Sequence, residues 1–281
     1  MGIESPRTLK LTLAYDGSAY AGWQRQTNGV SVQQRLEEAL ARLEGSPVTA
    51  AAAGRTDAGV HATGQVASVR LARDMPLDAL ARAVNAILPP DIRLLDVAEV
   101  PDEFHARFAA RAKTYQYRLL DGGVVSPFDR SWVWAVPGPL DLEAMRTAAR
   151  ALEGRHDFAS FQAAGSAVRD TVRTVLASSV GDRPGPAEEA GVIPRTPACG
   201  WLHASTGRLL VYEITGDGFL RHMVRAIVGT LVEIGSGRRP VGWMAEVLAA
   251  RDRGQAGPTA PAQGLCLVRV DYDPIVLADR G

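Results

Sequence analysis

The order of hydrophobic patterns along the chain constrains its fold more than any other feature. Residues 8–15 alternate leucines on one face, as a half-buried strand does, and residues 31–45 repeat apolar side chains every three or four positions, as a helix does. Ser31 and Gln34 have the spacing of a capping box, and Gly45 supplies a C-terminal stop. Further elements are predicted in the order strand, strand, helix, strand, at 47–54, 64–71, 76–88 and 91–100. This part of the chain therefore predicts the order β-α-β-β-α-β.

The rest of the chain predicts the same order again. Strands and helices are expected, together with one extra short helix, at 112–120, 141–153, 169–180, 208–216, 219–235, 241–251 and 265–272. Two such units predict an α+β protein with two ferredoxin-like halves, 1–110 and 111–281. Their sheets are expected to join into one antiparallel platform with helices on one face and a central active-site cleft. Residues 181–207, rich in proline, glycine and alanine, are predicted to be either a surface insertion or a mobile lid.

Composition narrows the classes of function. The formal net charge is zero, so no overall field attracts nucleic acid or a membrane. All but two of the 31 basic residues are arginine, whose planar group grips phosphate and stacks on bases, although GC-rich coding explains the same bias. Cys199 and Cys266 form no CxxC pair, which argues against zinc and against a disulfide framework. With no signal sequence and no apolar run of membrane-spanning length, the protein is expected to be cytoplasmic, with no membrane partner.

The segment AAGRTDAGVHATGQVAS, residues 52–68, is the most suggestive of chemistry. The chain has no GxxxxGK[ST] loop, GxSxG elbow or HExxH pair, so we expect neither a cofactor nor a metal. The segment places Arg55, Asp57 and His61 among glycines, between two predicted strands. Glycines let the backbone approach a ligand closely, and an arginine beside an aspartate favours an ionised, oriented carboxylate. A β-hairpin turn, in which Asp57 caps local amides and Arg55 faces solvent, accounts for the same residues.

Three further segments combine aromatic and polar side chains. The loop at 14–29 crowds together Tyr15, Tyr20, Trp23, Gln24, Arg25 and Gln26. This loop suits the stacking and edge-reading of unpaired bases, or a surface loop anchored by its aromatic residues. The strand KTYQYRLL presents its tyrosines to a ligand or buries them in the core. Arg221 and Arg225 lie four residues apart on one helix face, which suits a binding site or the solvent side of an amphipathic helix.

Taken in order, these segments resemble the tRNA pseudouridine synthase A family. The resemblance rests on YDGSAYAGWQRQ, SVQQRLEEAL, AGRTDAGVHATGQVAS, KTYQYRLL, HDFASF, GFLRHMVRAIVG and APAQGLCLVRVDY. It runs from Tyr15 to Tyr272, its most specific part is RTDAGVHA, and the stretch at 181–207 departs from the compact family pattern. The resemblance implies a cofactor-free homodimer of chains with two ferredoxin-like halves. Its implied activity is the isomerisation of uridine to pseudouridine at about positions 38 to 40 of the tRNA anticodon stem-loop.

The resemblance also implies roles for individual residues. Asp57, in RTD, takes the position of the nucleophile, and Arg55 takes that of the arginine beside it. Tyr115, the first tyrosine of TYQY, takes the position of the tyrosine that lies against the target base. Arg225, in FLRHMVR, takes that of the arginine that pairs with the nucleophilic aspartate. Leu265, in QGL, takes that of an apolar contact in the base pocket.

Other functions fit parts of the same pattern. A non-catalytic RNA-binding protein would use two ferredoxin-like lobes as a basic, aromatic platform, but it would gain nothing from the Asp57 carboxylate near phosphate. A glycoside hydrolase commonly needs two carboxylates at a defined separation, and residues 52–68 offer one. For a synthase, three uses of the carboxylate stay open: attack on C1′, addition to C6 of the ring, and abstraction of a 2′ proton.

Overall fold

The computed structural model describes residues 6–166, 168–182 and 205–274. Most of the stretch interpreted as an insertion or lid, 183–204, therefore lies outside the described residues. The chain divides into two compact units, one formed by Met1–Lys113 with Cys266–Gly281 and one by Thr114–Leu265. Both units combine helices with strands that pair mostly antiparallel, which confirms the α+β class.

The secondary structure follows the predicted order closely. In the described part of the chain the strands are β1 (Arg7–Tyr15), β2 (Ala51–Ala52), β3 (His61–Leu71), β4 (Ile92–Val100), β5 (Ala110–Asp121), β6 (Trp134–Val136), β7 (Gly154–Asp157), β8 (Val172–Asp182), β9 (Arg208–Gly216) and β10 (Leu265–Tyr272). The α-helices are α1 (Val32–Glu44), α2 (Leu77–Ile87), α3 (Leu142–Arg150), α4 (Met223–Gly235) and α5 (Trp243–Ala250). The sequence did not predict β6 and β7, because strands of three and four residues are too short to show an alternating pattern.

The first unit is built on strands in the order β4-β1-β3-β10. β1 is antiparallel to both β3 and β4, and β10 is parallel to β3. The core contains the leucines that the sequence places on one face of β1 and the apolar stripe of α1, all fully buried: Leu9, Leu11, Leu13, Val32, Leu36 and Leu40. The amphipathic pattern of these two elements is therefore confirmed.

Both ends of α1 are as the sequence predicts, with Ser31 at the N-cap and Gly45 at the C-terminal stop. The Ser31 hydroxyl accepts a hydrogen bond from the Gln34 N–H at 3.2 Å, and Gly45 ends the helix with φ +80°. The capping box itself is wrong in one detail. The Gln34 amide nitrogen donates to Glu38 at 2.8 Å, one turn further along α1, and no return bond from the Ser31 N–H to the Gln34 side chain is seen among the described residues.

β2 is much shorter than the predicted strand at 47–54 because side chains of α1 take its backbone groups. The Ala50 N–H donates to Glu37 at 3.0 Å, and the Ala50 carbonyl accepts from Gln33 at 3.0 Å. Gln33 also donates to Glu37 at 2.9 Å, so the two buried polar side chains satisfy one another as well as the backbone. Beyond β2 the chain leaves the sheet and enters the RTDAGVHA segment.

The second unit orders its strands β5-β9-β8-β7, with β6 parallel to β5. Its central helix, α4, is buried along most of its length, as expected of a helix that is apolar on nearly all sides. α4 begins later than the predicted helix at 219–235, since His222 adopts φ +64° at its N-terminus. At Gly229 the helix backbone approaches another segment so closely that a Cβ would lie 1.7 Å from the Pro258 carbonyl oxygen. Across the described ranges, no helix is both long and apolar enough to cross a membrane.

Candidate active site

The loop between β2 and β3 carries Arg55 and Asp57. It leaves β2 at Ala53, whose N–H donates to the Val66 carbonyl at 2.8 Å. The Val60 N–H donates to the Asp57 carbonyl at 3.1 Å and closes a tight turn. Arg55 is exposed and Asp57 is half-buried. The backbone therefore has the turn that the hairpin interpretation expects, and it holds Asp57 at the start of that turn.

A second loop, between β1 and α1, fixes the position of this turn. The Trp23 N–H donates to the Thr56 carbonyl at 3.0 Å, and the Gly59 N–H donates to the Tyr20 carbonyl at 3.4 Å. These bonds bracket Asp57, one on each side in sequence. Two predicted functional segments, the aromatic loop and the RTDAGVHA motif, thus form one packed structure within the first unit.

The aromatic residues of the β1–α1 loop are buried. Tyr15, Tyr20 and Trp23 expose 4%, 7% and 1% of their surface, so their interpretation as a stacking platform for bases is wrong. The Tyr20 hydroxyl donates to Asp91 at 2.6 Å, and the rings of Tyr15 and Trp23 lie 6.1 Å apart. The alternative, a loop anchored by its aromatic residues, fits these contacts. Of the polar residues in the loop, Arg25 is exposed and pairs with Glu37 at 3.2 Å.

His61 connects the same two loops. Its side chain is 1% exposed, and its Nδ1 atom lies 3.1 Å from the Gly17 N–H, which donates to it. Gly17 itself approaches the motif closely, since a Cβ there would lie 2.0 Å from the Val60 carbonyl oxygen. The histidine of the motif therefore anchors the backbone around Asp57.

Replacing Gly22 by alanine is expected to displace the Asp57 turn. Gly22 has φ +96°, and a Cβ there would lie 2.6 Å from the Thr56 carbonyl oxygen and 3.1 Å from the Ala58 nitrogen. If this turn carries a reacting group, we expect Gly22→Ala to slow the reaction by roughly tenfold or more, because sub-ångström misplacement of such a group is costly. Gly45→Ala is the matched control: Gly45 has φ +80° but no neighbour within 4 Å. Equal turnover in the two variants would show that the close approach at Gly22 does not matter.

In the second unit, Tyr115 and Tyr117 point to the same face of β5, two residues apart. The Tyr115 ring is buried and meets Phe219 edge-on, with ring centres 5.2 Å apart and planes at 80°. The Tyr117 hydroxyl donates to the Pro261 carbonyl at 2.7 Å, and burial raises the pKa of Tyr117 far above its ordinary value. The nearby Arg225 charge lowers that pKa in part. Tyr117 therefore stays protonated and holds the segment that leads to β10.

Arg225 faces the interior of the second unit. Its side chain is half-buried, whereas Arg221, which lies before the start of α4, is exposed. The Arg225 Nε atom donates to the Ala260 carbonyl at 2.7 Å, and the Ala260 N–H donates back to the Arg225 carbonyl at 3.0 Å. The prediction that Arg221 and Arg225 share one helix face is therefore wrong, because α4 begins at Met223 and Arg221 lies before it.

Arg225 and Tyr117 both contact the segment 256–264. This segment leads directly into Leu265, the first residue of β10. Arg253 also holds this segment: it donates to the carbonyls of Ala256 and Gly257 and to the Thr259 hydroxyl, at 3.4, 3.0 and 2.9 Å. Leu265 is 5% exposed. Tyr115, Arg225 and Leu265 thus belong to the second unit, and Arg55 and Asp57 to the first.

The sequence analysis missed two polar residues beside the Asp57 turn. Thr56 and Gln65 are buried and hydrogen-bonded to Tyr15, at 2.8 and 3.3 Å. Gln65 was detectable in principle, as a polar residue within a strand whose neighbours are apolar.

Within the residues that the structure describes, no group of three or more histidine, cysteine, aspartate or glutamate side chains is arranged to hold a metal ion.

Comparisons with known proteins identify the family. A family model described as tRNA pseudouridine synthase matches residues 12–109 and 148–273. Curated proteins named tRNA pseudouridine synthase A are 45% identical in Myxococcus xanthus (94% of this chain, 91% of the relative) and 47% identical in Syntrophotalea carbinolica (95% and 96%). A solved Cbf5-Nop10-Gar1 complex overlaps 92% of this chain and 48% of the matched chain, with 13% identity and a TM-score of 0.36, too low to support an argument. The match to the family model and the two close relatives show that this chain belongs to the tRNA pseudouridine synthase family.

Proposed function

We propose that this chain isomerises uridine to pseudouridine at about positions 38 to 40 of the tRNA anticodon stem-loop, with Asp57 as the nucleophile. The observation that carries the proposal is the setting of Asp57. It is half-buried in a turn that hydrogen bonds fix on both sides, and that turn lies inside the part of the chain that the family model matches. A purely binding protein has no need to hold an anion in this way near phosphate.

The reaction asks three things of the protein. The N1–C1′ glycosidic bond must break, the uracil must turn, and C5 must bond to C1′, with the C5 proton lost at the end. No heavy atom is lost, and the proton that C5 loses is balanced by the proton that N1 gains, so positioning a detached base is a large part of the task. A carboxylate serves by attacking C1′, adding to C6 or removing a 2′ proton, and all three remain open. The target uridine must first leave its stack, at a cost of roughly a few kcal/mol.

We propose roles for the other residues from the resemblance. Arg55 is exposed beside Asp57, which suits contact with the RNA backbone or an unstacked base. Tyr115 lies against the uracil ring and relays the C5 proton. Arg225 favours the ionised form of the nucleophile, and Leu265 supplies an apolar wall of the base pocket. The burial of Tyr115 and Leu265 supports these assignments, since a base pocket must be largely apolar.

The finer features of the fold and assembly are also proposals. We propose that 1–110 and 111–281 are two ferredoxin-like halves of a common platform with a central active-site cleft, in a protein that acts as a cytoplasmic homodimer. The pairing within the first unit supports the first of these, because β1, β2, β3 and β4 pair antiparallel as a split β-α-β unit requires.

Loss of the Tyr115 hydroxyl tests the proton relay. We expect Tyr115→Phe to slow turnover by roughly a hundredfold, the typical effect of removing a general acid or base, and to leave tRNA affinity nearly unchanged. Tyr115→Leu removes the ring as well and should weaken uridine positioning further. The measurement is single-turnover kinetics with a binding assay on the same tRNA. Full turnover in Tyr115→Phe would mean that the ring acts only by packing.

The function itself is tested by incubating the purified protein with unmodified tRNA and analysing the nucleosides. Pseudouridine should appear without any added cofactor and after exhaustive chelation, with magnesium restored separately for tRNA folding. Release of free uracil would indicate a glycoside hydrolase instead. Binding without any change in the nucleosides would indicate a non-catalytic RNA-binding protein.

A further inference from the structure

Three buried polar side chains connect β1, the Asp57 turn and β3. The Tyr15 hydroxyl lies 2.8 Å from the Thr56 hydroxyl, and the Gln65 amide nitrogen lies 3.3 Å from the Tyr15 hydroxyl. Tyr15, Thr56 and Gln65 expose 4%, 6% and 0% of their surface. We call this cluster the Tyr15–Thr56–Gln65 network.

Gln65 uses both its amide nitrogen and its carbonyl oxygen in the network. The Gln65 amide nitrogen donates both to the Tyr15 oxygen and, at 2.9 Å, to the Gly54 carbonyl. Its carbonyl accepts from the Val66 N–H at 3.2 Å, so the buried amide is fully used. Burial raises the pKa of Tyr15 far above its ordinary value, so the phenol stays protonated, and either hydroxyl can donate in the bond between Tyr15 and Thr56.

The network therefore fixes the chain on both sides of Arg55. Gln65 holds the carbonyl of Gly54, and Tyr15 holds the side chain of Thr56. The Thr56 carbonyl also accepts the Trp23 N–H, so both its side chain and its backbone are fixed. Thr56 is the residue immediately before Asp57, and the turn that contains Asp57 begins where these constraints end.

We propose that Tyr15, Thr56 and Gln65 are positioning residues that set the orientation of the Asp57 carboxylate for attack on the target nucleoside. This inference rests on the proposed function. The three side chains act through the backbone of Asp57 and do not themselves contact the substrate. Their loss should therefore slow the chemical step while leaving tRNA binding nearly intact, because binding draws on a much larger surface than this one turn.

A purely structural role is the competing interpretation, and the second unit supplies a matched control for it. There the Tyr212 hydroxyl lies 3.0 Å from the Ser178 hydroxyl, and both residues are as deeply buried as those of the network. This pair joins β8 to β9. Tyr212→Phe removes the same chemical group from a similar environment, without touching the Asp57 turn.

The experiment compares Tyr15→Phe with Tyr212→Phe by thermal unfolding, tRNA affinity and single-turnover pseudouridine formation. Both variants should lower the unfolding temperature by similar amounts. We expect Tyr15→Phe to slow the single-turnover rate by roughly 30-fold, with affinity nearly unchanged, and Tyr212→Phe to leave the rate intact. Thr56→Ser keeps the hydroxyl and should retain most of the rate, whereas Thr56→Val removes it with little change in shape and should behave like Tyr15→Phe.

Amide hydrogen exchange supplies a readout that does not depend on activity. In Tyr15→Phe the N–H groups of Trp23 and Val60, which bond to Thr56 and Asp57, should exchange roughly tenfold faster than in the parent protein. In Tyr212→Phe they should not change. If the parent protein makes no pseudouridine, the proposed function fails, and exchange still decides whether the network holds the turn.

Three results would overturn the inference. Equal slowing of turnover in Tyr15→Phe and Tyr212→Phe would mean that the network contributes only to stability. Unchanged exchange at Trp23 and Val60 in Tyr15→Phe would mean that the network does not hold the turn at all. A loss of tRNA affinity as large as the loss of rate would equally contradict a role limited to orienting Asp57.

Discussion

Asp57→Asn is expected to abolish pseudouridine formation while leaving tRNA binding almost unchanged. The amide has nearly the shape of the carboxylate, so the turn closed by the Val60 N–H and the Asp57 carbonyl should survive. It neither attacks carbon nor accepts a proton, so each of the three open mechanisms loses its reactive group. Removing a catalytic nucleophile costs at least roughly a thousandfold in rate, the largest effect we expect from any single change in this chain. Single-turnover nucleoside analysis and a binding assay measure the two quantities.

Asp78→Asn is the control variant, because it removes a carboxylate that lies outside the Asp57 turn. Asp78 is an exposed residue in the first turn of α2, paired with Arg82 at 2.7 Å. An exposed pair of this kind contributes little, so the variant should keep full activity. Comparable pseudouridine formation by Asp57→Asn would show that the nucleophile is another residue. Parallel loss of binding and activity in Asp57→Asn would make Asp57 a structural residue of the hairpin turn.

The parts of the fold that were predictable are those whose own sequence determines them. The stripe Val32, Leu36 and Leu40 and the Ser31 cap are local features, and the structure confirms them. β2 was not predictable at its true length, because its backbone groups bond to side chains of α1 that are distant in sequence. The start of α4 likewise depends on the left-handed conformation of His222, which an L-residue rarely adopts and which the helical pattern does not reveal.

The candidate site also combines features that its local sequence predicts with features that depend on tertiary contacts. The glycines and polar residues of RTDAGVHA were enough to predict a turn at Asp57. The burial of Tyr15, Tyr20 and Trp23 was not predictable, because an aromatic loop that stacks on bases and one that packs on a neighbouring loop share the same composition. The two kinds of loop differ in the close approach of the loop backbone to the Asp57 turn at Gly17 and Gly22. That approach is a tertiary contact, which the composition of the loop does not reveal.

Arg225→Met is expected to lose most activity, by a factor of hundreds or more. The resemblance gives Arg225 the task of favouring an ionised nucleophile, and removing the positive partner of a half-buried carboxylate disfavours its charged form. Arg225→Lys keeps the charge but not the planar fork, so it should be severely impaired yet measurably active. Single-turnover rates with saturating enzyme measure both.

Arg225 also holds the backbone of the segment 256–264. A control variant must therefore separate the loss of that contact from the loss of the Arg225 charge. Its Nε atom holds the Ala260 carbonyl, and Arg253 holds the same segment at Ala256, Gly257 and Thr259. Arg253→Met therefore loosens the segment without removing the Arg225 charge. If that variant is as impaired as Arg225→Met, tethering explains the loss and the proposed electrostatic role is wrong.

A double variant decides whether Arg225 and Asp57 act on one step. Asp57→Asn removes the anion, so the charge of Arg225 then has nothing left to favour. Asp57→Asn combined with Arg225→Met should therefore be little worse than Asp57→Asn alone, because residues that act as a unit show strongly non-additive effects. Additive losses in binding or stability would instead mean that Arg225 works independently, through the segment that leads to Leu265. The comparison needs a residual rate above background in Asp57→Asn, or else tRNA affinity and unfolding temperature, which remain measurable when turnover is lost.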